Sequence, residues 1–243
     1  MSTSNPVALV SGVGPGTGAA IARRFVQGGY QVAMLARNSA RLQALEGEIA
    51  SSRAYACDVT DEARLDATIA AVRRDLGEPR VLVHNAVGGA FGNFLEIEPA
   101  VLNQNFQVNT MGLLYLARRL TPAMVAAGDG AIVATGNTSA QRGKASFAGF
   151  APTKAAQRIL AESMARELGP KGVHVAYVVI DAVIDLEWTR RRFGNAPDDF
   201  LSSLRRSQRK CGTSRITIAL RGRSTWSCVR FGRRGRSGSF EVN

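Results

Sequence analysis

Val7-Ala-Leu-Val-Ser11-Gly12-Val-Gly-Pro-Gly16-Thr-Gly18 decides the fold. A short run of β-branched and small apolar residues reads as a buried strand, and the glycine segment after it reads as a tight turn into a helix. Gly12 lets the chain turn sharply off the strand. Gly16 lets the backbone approach a pyrophosphate, and Gly18 lets the following helix pack close to the sheet. The helix that opens at Thr17 then offers free N–H groups to phosphate oxygens. An ordinary glycine-rich turn would look similar in isolation. Its place between a first strand and a helix is what favours nucleotide binding.

Outward from this turn, strand-like and helix-like runs alternate up to about residue 185. The pattern predicts strands at Val7–Ser11, Gln31–Leu35, Arg53–Cys57, Val81–His84, Ala131–Thr135 and Val173–Ile180. It predicts helices at Thr17–Gln27, Ser39–Ile49, Asp61–Leu76, Pro99–Ala127 and Ala148–Leu168. Such alternation implies a single-domain α/β fold, a doubly wound parallel sheet of the Rossmann type in three layers. The domain boundary falls near residue 190, leaving 191–243 as an atypical basic segment.

Charge supports that division. Residues 201–243 hold 11 of the 31 Lys and Arg but one of the 19 acids, a net of +10. The first 200 residues carry 20 basic and 18 acidic groups, a net of +2. No seventh strand of the quality of the first six is visible, which predicts an exposed sheet edge. Three readings of the segment compete: a nucleic-acid arm, a disordered native end, or translation in a shifted frame. Back-translation of Arg221–Arg233 with a one-base shift permits Ala-Trp-Thr-Phe-Asp-Leu-Glu-Leu-Arg-Pro-Phe-Trp-Glu, an alternating strand, which favours the third. Nucleic acid as a partner is disfavoured, because basic runs alone carry little specificity.

Other function classes are bounded by composition. No run of about 18 apolar residues is present, so no membrane-spanning helix is expected. The N-terminus lacks the basic and apolar regions of a signal peptide. The three cysteines, Cys57, Cys211 and Cys228, cannot all pair within the chain and show no metal-ligand spacing. A reducing cytoplasmic setting and no metal site are the expectations.

The glycine turn, Cys57-Asp58-Val59, His84-Asn85-Ala86-Val87-Gly88, Phe106-Gln-Val-Asn109-Thr and Phe150-Ala-Pro-Thr-Lys154 together resemble the short-chain dehydrogenase/reductase family over about residues 1–187. The resemblance implies a nicotinamide cofactor bound by Gly12, Gly16, Thr17, Gly18, Asp58, Val59, Asn85 and Ala86, with Asp58 accepting from the adenine amine. It implies that Asn109 anchors a water relay to Lys154, which holds the nicotinamide ribose. It also implies a small carbonyl or alcohol substrate. A homodimer or homotetramer through Pro99–Ala127 and Ala148–Leu168 is implied as well. His84 reads more simply as a satisfied strand-end histidine.

Arg37 bears on cofactor choice. No Asp or Glu lies between Gly28 and Arg41 to grip a ribose 2′-OH, whereas Arg37 suits a 2′-phosphate. NADP is therefore expected, with NAD possible and a solvated helix-cap arginine as the plainer reading.

The departures fall in the catalytic segment. Family members carry Tyr where this chain has Phe150, and Phe has no proton to give. Thirteen residues earlier, where the family has Ser, stands Asn137, whose amide can still donate to a carbonyl oxygen. Ser139 and Thr138 lie just beyond it. Tyr115 and Tyr177 are distant in sequence, and the Pro-Gly after the sixth strand is replaced by Asp181-Ala-Val-Ile-Asp185. Phe150 suggests an atypical branch of the family: a variant oxidoreductase, or a nucleotide-binding sensor or scaffold without turnover. A blander reading makes Phe147, Phe150 and Ala151 an apolar helix face and Lys154 a solvated lysine.

Overall fold

All five residues of β1 (Val7–Ser11) are buried, so the strand needs a neighbour on each edge and a helix layer on each face. The computed structural model describes residues 5–180 and 191 in full, and the backbone alone at 183–184, 201–202 and 226–231. β1 lies parallel to β2 (Gln31–Ala36) on one side and β4 (Pro79–His84) on the other. With β3 (Ser52–Ala56), β5 (Gly130–Gly136), β6 (Val173–Ile180) and β9 (Trp226–Phe231) they form one sheet in the order β3-β2-β1-β4-β5-β6-β9. A separate parallel pair joins β7 (Val183–Ile184) to β8 (Leu201–Ser202).

Alternation along the strands feeds two cores. Ala8, Val10, Val32 and Met34 face α1 (Thr17–Gln27) and α2 (Ser39–Glu48), where Phe25, Leu42 and Leu45 cover them. Leu9, Leu35, Leu82 and Ile132 face the opposite layer. That layer consists of α3 (Glu62–Leu76), α4 (Pro99–Phe106), α5 (Gly112–Ala127) and α6 (Ala151–Leu168). Side chains cap two of these helices: Asn38 Oδ1 accepts from Arg41 N–H at 2.9 Å and Asp61 Oδ1 from Arg64 N–H at 3.0 Å.

Three expectations need correction. The run Pro99–Ala127 is not one regular helix, because a π turn, Gln107–Met111, separates α4 from α5. The carbonyls of Val108 and Asn109 within it accept from the side chains of His84 and Gln157. Such insertions accompany a break in the regular helical ladder. Helix α6 starts at Ala151 and not at Ala148, with Phe150 as its N-cap and Pro152 in the first turn, where a missing N–H costs nothing. The β6 edge is not bare either. Val175–Ile180 pairs with Trp226–Phe231, since ladder bonds are made by backbone groups and demand less of sequence than burial does. Asp181, Asp185 and the remainder of the basic segment lie outside the described residues.

The chain reverses its strand order between β1 and β4, which opens a crevice at their C-terminal ends. Gly12 sits there with φ +75°, and a Cβ on it would overlap the Ala86 backbone nitrogen. Gly12→Ala combines left-handed backbone strain with a collision against another main chain. It is expected to destabilise the protein by at least about 2 kcal/mol in urea unfolding; an unchanged midpoint would refute the close approach.

Candidate functional site

The glycine turn is laced to the ends of three strands. Gly12 N–H donates to Leu35 O at 2.8 Å, and Asn85 N–H to Ser11 O at 3.1 Å. The Asn85 amide donates to Gly12 O at 2.9 Å, while Thr135 Oγ1 donates to Asn85 Oδ1 at 3.1 Å. Asn85 and Ala86 thus belong to the wall that the turn leans on. A Cβ at Gly18 would meet the Gly12 carbonyl, so the start of α1 rests directly on the turn. Gly14 faces open space. Gly16 caps α1 without a side-chain hydrogen bond, and no acid occupies the first turn beginning at Thr17. These free N–H groups fit an anionic diphosphate.

At the far end of the crevice, Asp58 Oδ1 accepts from Thr60 N–H at 2.9 Å and from Thr60 Oγ1 at 2.8 Å. Its other oxygen stands 4.0 Å from Arg37 Nη1. The Arg37 side chain is 73% exposed, and Asn38 is the helix cap beside it, so capping does not account for Arg37. Val59 is buried against Gly112, which makes its side chain part of the packing beneath the site.

Lys154 is not a solvated lysine: it is only 3% exposed. Nζ donates to Thr135 O at 3.1 Å and to Gln157 Oε1 at 2.9 Å. Burial pushes its amine down to about 7 from the usual 10.5. Asn109 is fully buried in the π turn. Its amide donates to Gly88 O at 2.9 Å and Thr153 Oγ1 at 2.8 Å, while its Oδ1 accepts from Gly88 N–H at 3.0 Å. The Thr153 hydroxyl in turn donates to Phe150 O at 2.8 Å. Asn109 therefore clips the β4 loop to α6, and its main-chain carbonyl takes the Gln157 amide at 2.8 Å, so that Gln157 stands between that carbonyl and Lys154 where the resemblance implies a relay water.

His84 is the satisfied histidine expected of a strand end. Nε2–H donates to Val108 O at 3.1 Å, which leaves Nδ1 to accept from the Ser11 hydroxyl at 3.0 Å. Burial, and then the Lys154 charge, push the imidazole down to about 3, so the ring is neutral.

Phe150 lies buried above Lys154, its ring centroid 6.0 Å from Nζ. Phe91 packs on it at 5.3 Å and on Phe147 at 4.9 Å. The Gly92–Phe147 bridge ties the two loops together, so an aromatic wall stands beside the amine. Asn137 follows β5 and is half-buried; its Oδ1 accepts from Ser139 N–H at 3.1 Å and from the Ser139 hydroxyl. A donor role thus falls to its amide. Tyr177 lies behind α6, donating to Lys154 O at 3.3 Å. Tyr115 reaches Gln107 at 3.4 Å.

Sequence reasoning missed Thr153, Gln157 and Asn105, whose amide donates to Gly149 O at 2.7 Å. The available signal was weak. Each is a polar residue at helical spacing from a site residue, a position that is more often solvated.

A family profile described as short chain dehydrogenase matches residues 6–186. The D-erythrulose reductase of Gallus gallus is 34% identical over 169 residues, covering 69% of this chain and 67% of that enzyme. A protein of Xanthobacter autotrophicus named inactive 2-(S)-hydroxypropyl-CoM dehydrogenase 2 is 30% identical over 186 residues, 76% of this chain and 81% of its own. The solved structure of a metagenomic short-chain oxidoreductase in complex with NADP superposes with a TM-score of 0.75. It is 28% identical, over 93% of this chain and 97% of that one. Among the described residues no helix is long and apolar enough to cross a membrane.

The depressed Lys154 amine has a stability consequence. Below about pH 7 the folded protein holds a buried charge, and above pH 10.5 the amine is neutral in both states. Between these limits the unfolded chain binds more protons, so the penalty fades as pH rises. Lys154→Met is expected to gain stability over wild type near pH 6 and to lose that advantage by pH 10 in denaturant titrations. A pH-independent difference would contradict the burial.

Proposed function

Because the chain belongs to the short-chain dehydrogenase family, we propose that it is an NADP(H)-linked oxidoreductase of a carbonyl or alcohol, from a branch with Phe150 in the proton-donor position. The observation that carries this reading is the buried Lys154, kept hydrogen-bonded by Thr135 and Gln157 beside the glycine crevice. The free N–H groups at Gly16, Thr17 and Gly18 would hold the diphosphate. Asp58 would accept from the adenine amine, and Arg37 would pair with a ribose 2′-phosphate. Gly12, Asn85 and Ala86 would shape the wall against which the cofactor lies, and Val59 would support it from below. When bound, the nicotinamide supplies the two-electron reduction that interconverts a carbonyl and an alcohol.

Lys154 Nζ would hold the nicotinamide ribose, and the Asn137 amide would donate to the substrate oxygen. Asn109 would keep α6 and the β4 loop in register around them. The proton that a tyrosine would give must come from water or from a group on the substrate. A second reading, an NADP(H)-binding sensor or scaffold without turnover, is favoured by the Phe150 ring itself, packed on Phe91 with no hydroxyl to offer.

Fluorescence titration should show NADPH binding more tightly than NADH. Arg37→Ala should weaken NADPH at least about 10-fold and leave NADH nearly unchanged. Equal loss for both cofactors would remove the 2′-phosphate assignment, and no binding of either would remove the function. For the chemistry, Phe150→Tyr should raise carbonyl reduction by about 10²–10⁴ over the wild-type rate. NADPH binding with no turnover of a carbonyl panel by either protein would favour the sensor.

A further inference from the structure

Gln157 lies three residues after Lys154 on α6 and is fully buried. Both ends of its amide are engaged inside the site. Oε1 accepts from Lys154 Nζ at 2.9 Å, and Nε2 donates to the Asn109 main-chain carbonyl at 2.8 Å. That carbonyl lies within the π turn, so the helix irregularity and the glutamine bridge belong to one arrangement. A protonated amine has three donors; two go to neutral oxygens, Thr135 O and Gln157 Oε1. The third makes no hydrogen bond to a described residue, and the Phe150 ring centroid stands 6.0 Å from Nζ.

The groups around Nζ leave Gln157 as the adjustable one. From β4 comes His84, buried and neutral. From β6 comes Tyr177, whose hydroxyl is given to Lys154 O. From β5 comes the Thr135 main chain, whose dipole no side-chain change removes. Among the described residues no carboxylate forms an ion pair with Lys154, and burial is the cause of its depressed amine. A carboxamide holds a proton donor or acceptor in place, but near neutral pH it does not itself give up or take a proton.

We propose that Gln157 is the positioning residue of this site: it pins Lys154 Nζ, favours the protonated amine, and joins it to the Asn109 carbonyl by a link that cannot pass a proton. Proton exchange at Nζ is then confined to the crevice side, where cofactor and substrate would bind. The functional meaning rests on the nucleotide-binding reading above, but the bridge can be tested without any cofactor.

The chain has four lysines, Lys144, Lys154, Lys171 and Lys210, so side-chain ¹⁵N NMR of labelled lysine is tractable, with Lys154→Met identifying the signal. Gln157→Leu removes the acceptor and should move the Lys154 midpoint down by about one pH unit; Gln157→Glu adds a negative charge and should move it up by at least about as much. Opposite shifts are a signature that loosened packing does not produce. Midpoints that stay put in both variants, or move the same way, overturn the proposal. Should circular dichroism show the leucine variant unfolded, the glutamate variant decides alone: a raised midpoint supports the bridge and an unmoved one overturns it. Failure of NADPH binding together with opposite shifts would remove the proposed function and leave the role of Gln157 standing. Normal NADPH binding with unmoved midpoints would remove that role alone.

Discussion

The contact between Gly12 and the Asn85-Ala86 backbone is the constraint on which the rest of the site depends. Two main chains meet there with no room for a Cβ, at the point where the strand order turns back between β1 and β4. The Asn85 amide bonded to Gly12 O locks the approach, and the Thr135 hydroxyl bonded to Asn85 extends it to β5. Three strand ends are thereby joined by hydrogen bonds. The position of Thr135 then determines where Lys154 finds its first carbonyl. A loosening at Gly12 would be felt at the amine, two strands away.

Below the crevice the protein holds an unusual amount of polarity out of water. Ser11, His84, Asn105, Asn109, Thr153, Lys154 and Gln157 are all buried. A buried polar group without a partner costs about 1–3 kcal/mol, so such a cluster persists only when it is closed. It is closed here. His84 bridges β1 and the π turn, Asn109 holds the β4 loop and Thr153, and Gln157 joins Lys154 to the Asn109 carbonyl. The π turn shares in this closure, because two of its carbonyls turn to side-chain donors. Above the network the chemistry changes abruptly. Phe150, Phe91 and Phe147 make an aromatic wall, and Phe94 and Leu95 stand 77% and 80% exposed nearby in the chain.

Some of this is legible residue by residue along the chain. Asn109 stands out as a polar residue with no reason to sit mid-helix, and it proves to be the clip between two elements. His84 reads as structural, and its two ring nitrogens are indeed both used. The positions of the first six strands are legible because buried parallel strands are short apolar runs between turn residues. Boundaries are harder. Ala148 carries the same helical preference as Ala151, and only the turn from Phe147 O to the Phe150 and Ala151 N–H groups shows where α6 begins. β9 is invisible in the sequence because its pairing with β6 is a backbone matter, while the basic residues around it break every side-chain period.

By itself, the sequence determined the doubly wound sheet and the glycine turn, because these follow from local patterns, apolar alternation and glycines between a strand and a helix; the family followed from the motifs that resemble it. Only the tertiary structure decided that Lys154 is buried, that Gln157 and not bulk solvent stands against its amine, and that Phe150 packs on Phe91. These facts depend on which groups from distant elements share one small volume. Burial sets the charge of an amine, and no spacing along the chain reveals how much water will be left beside it.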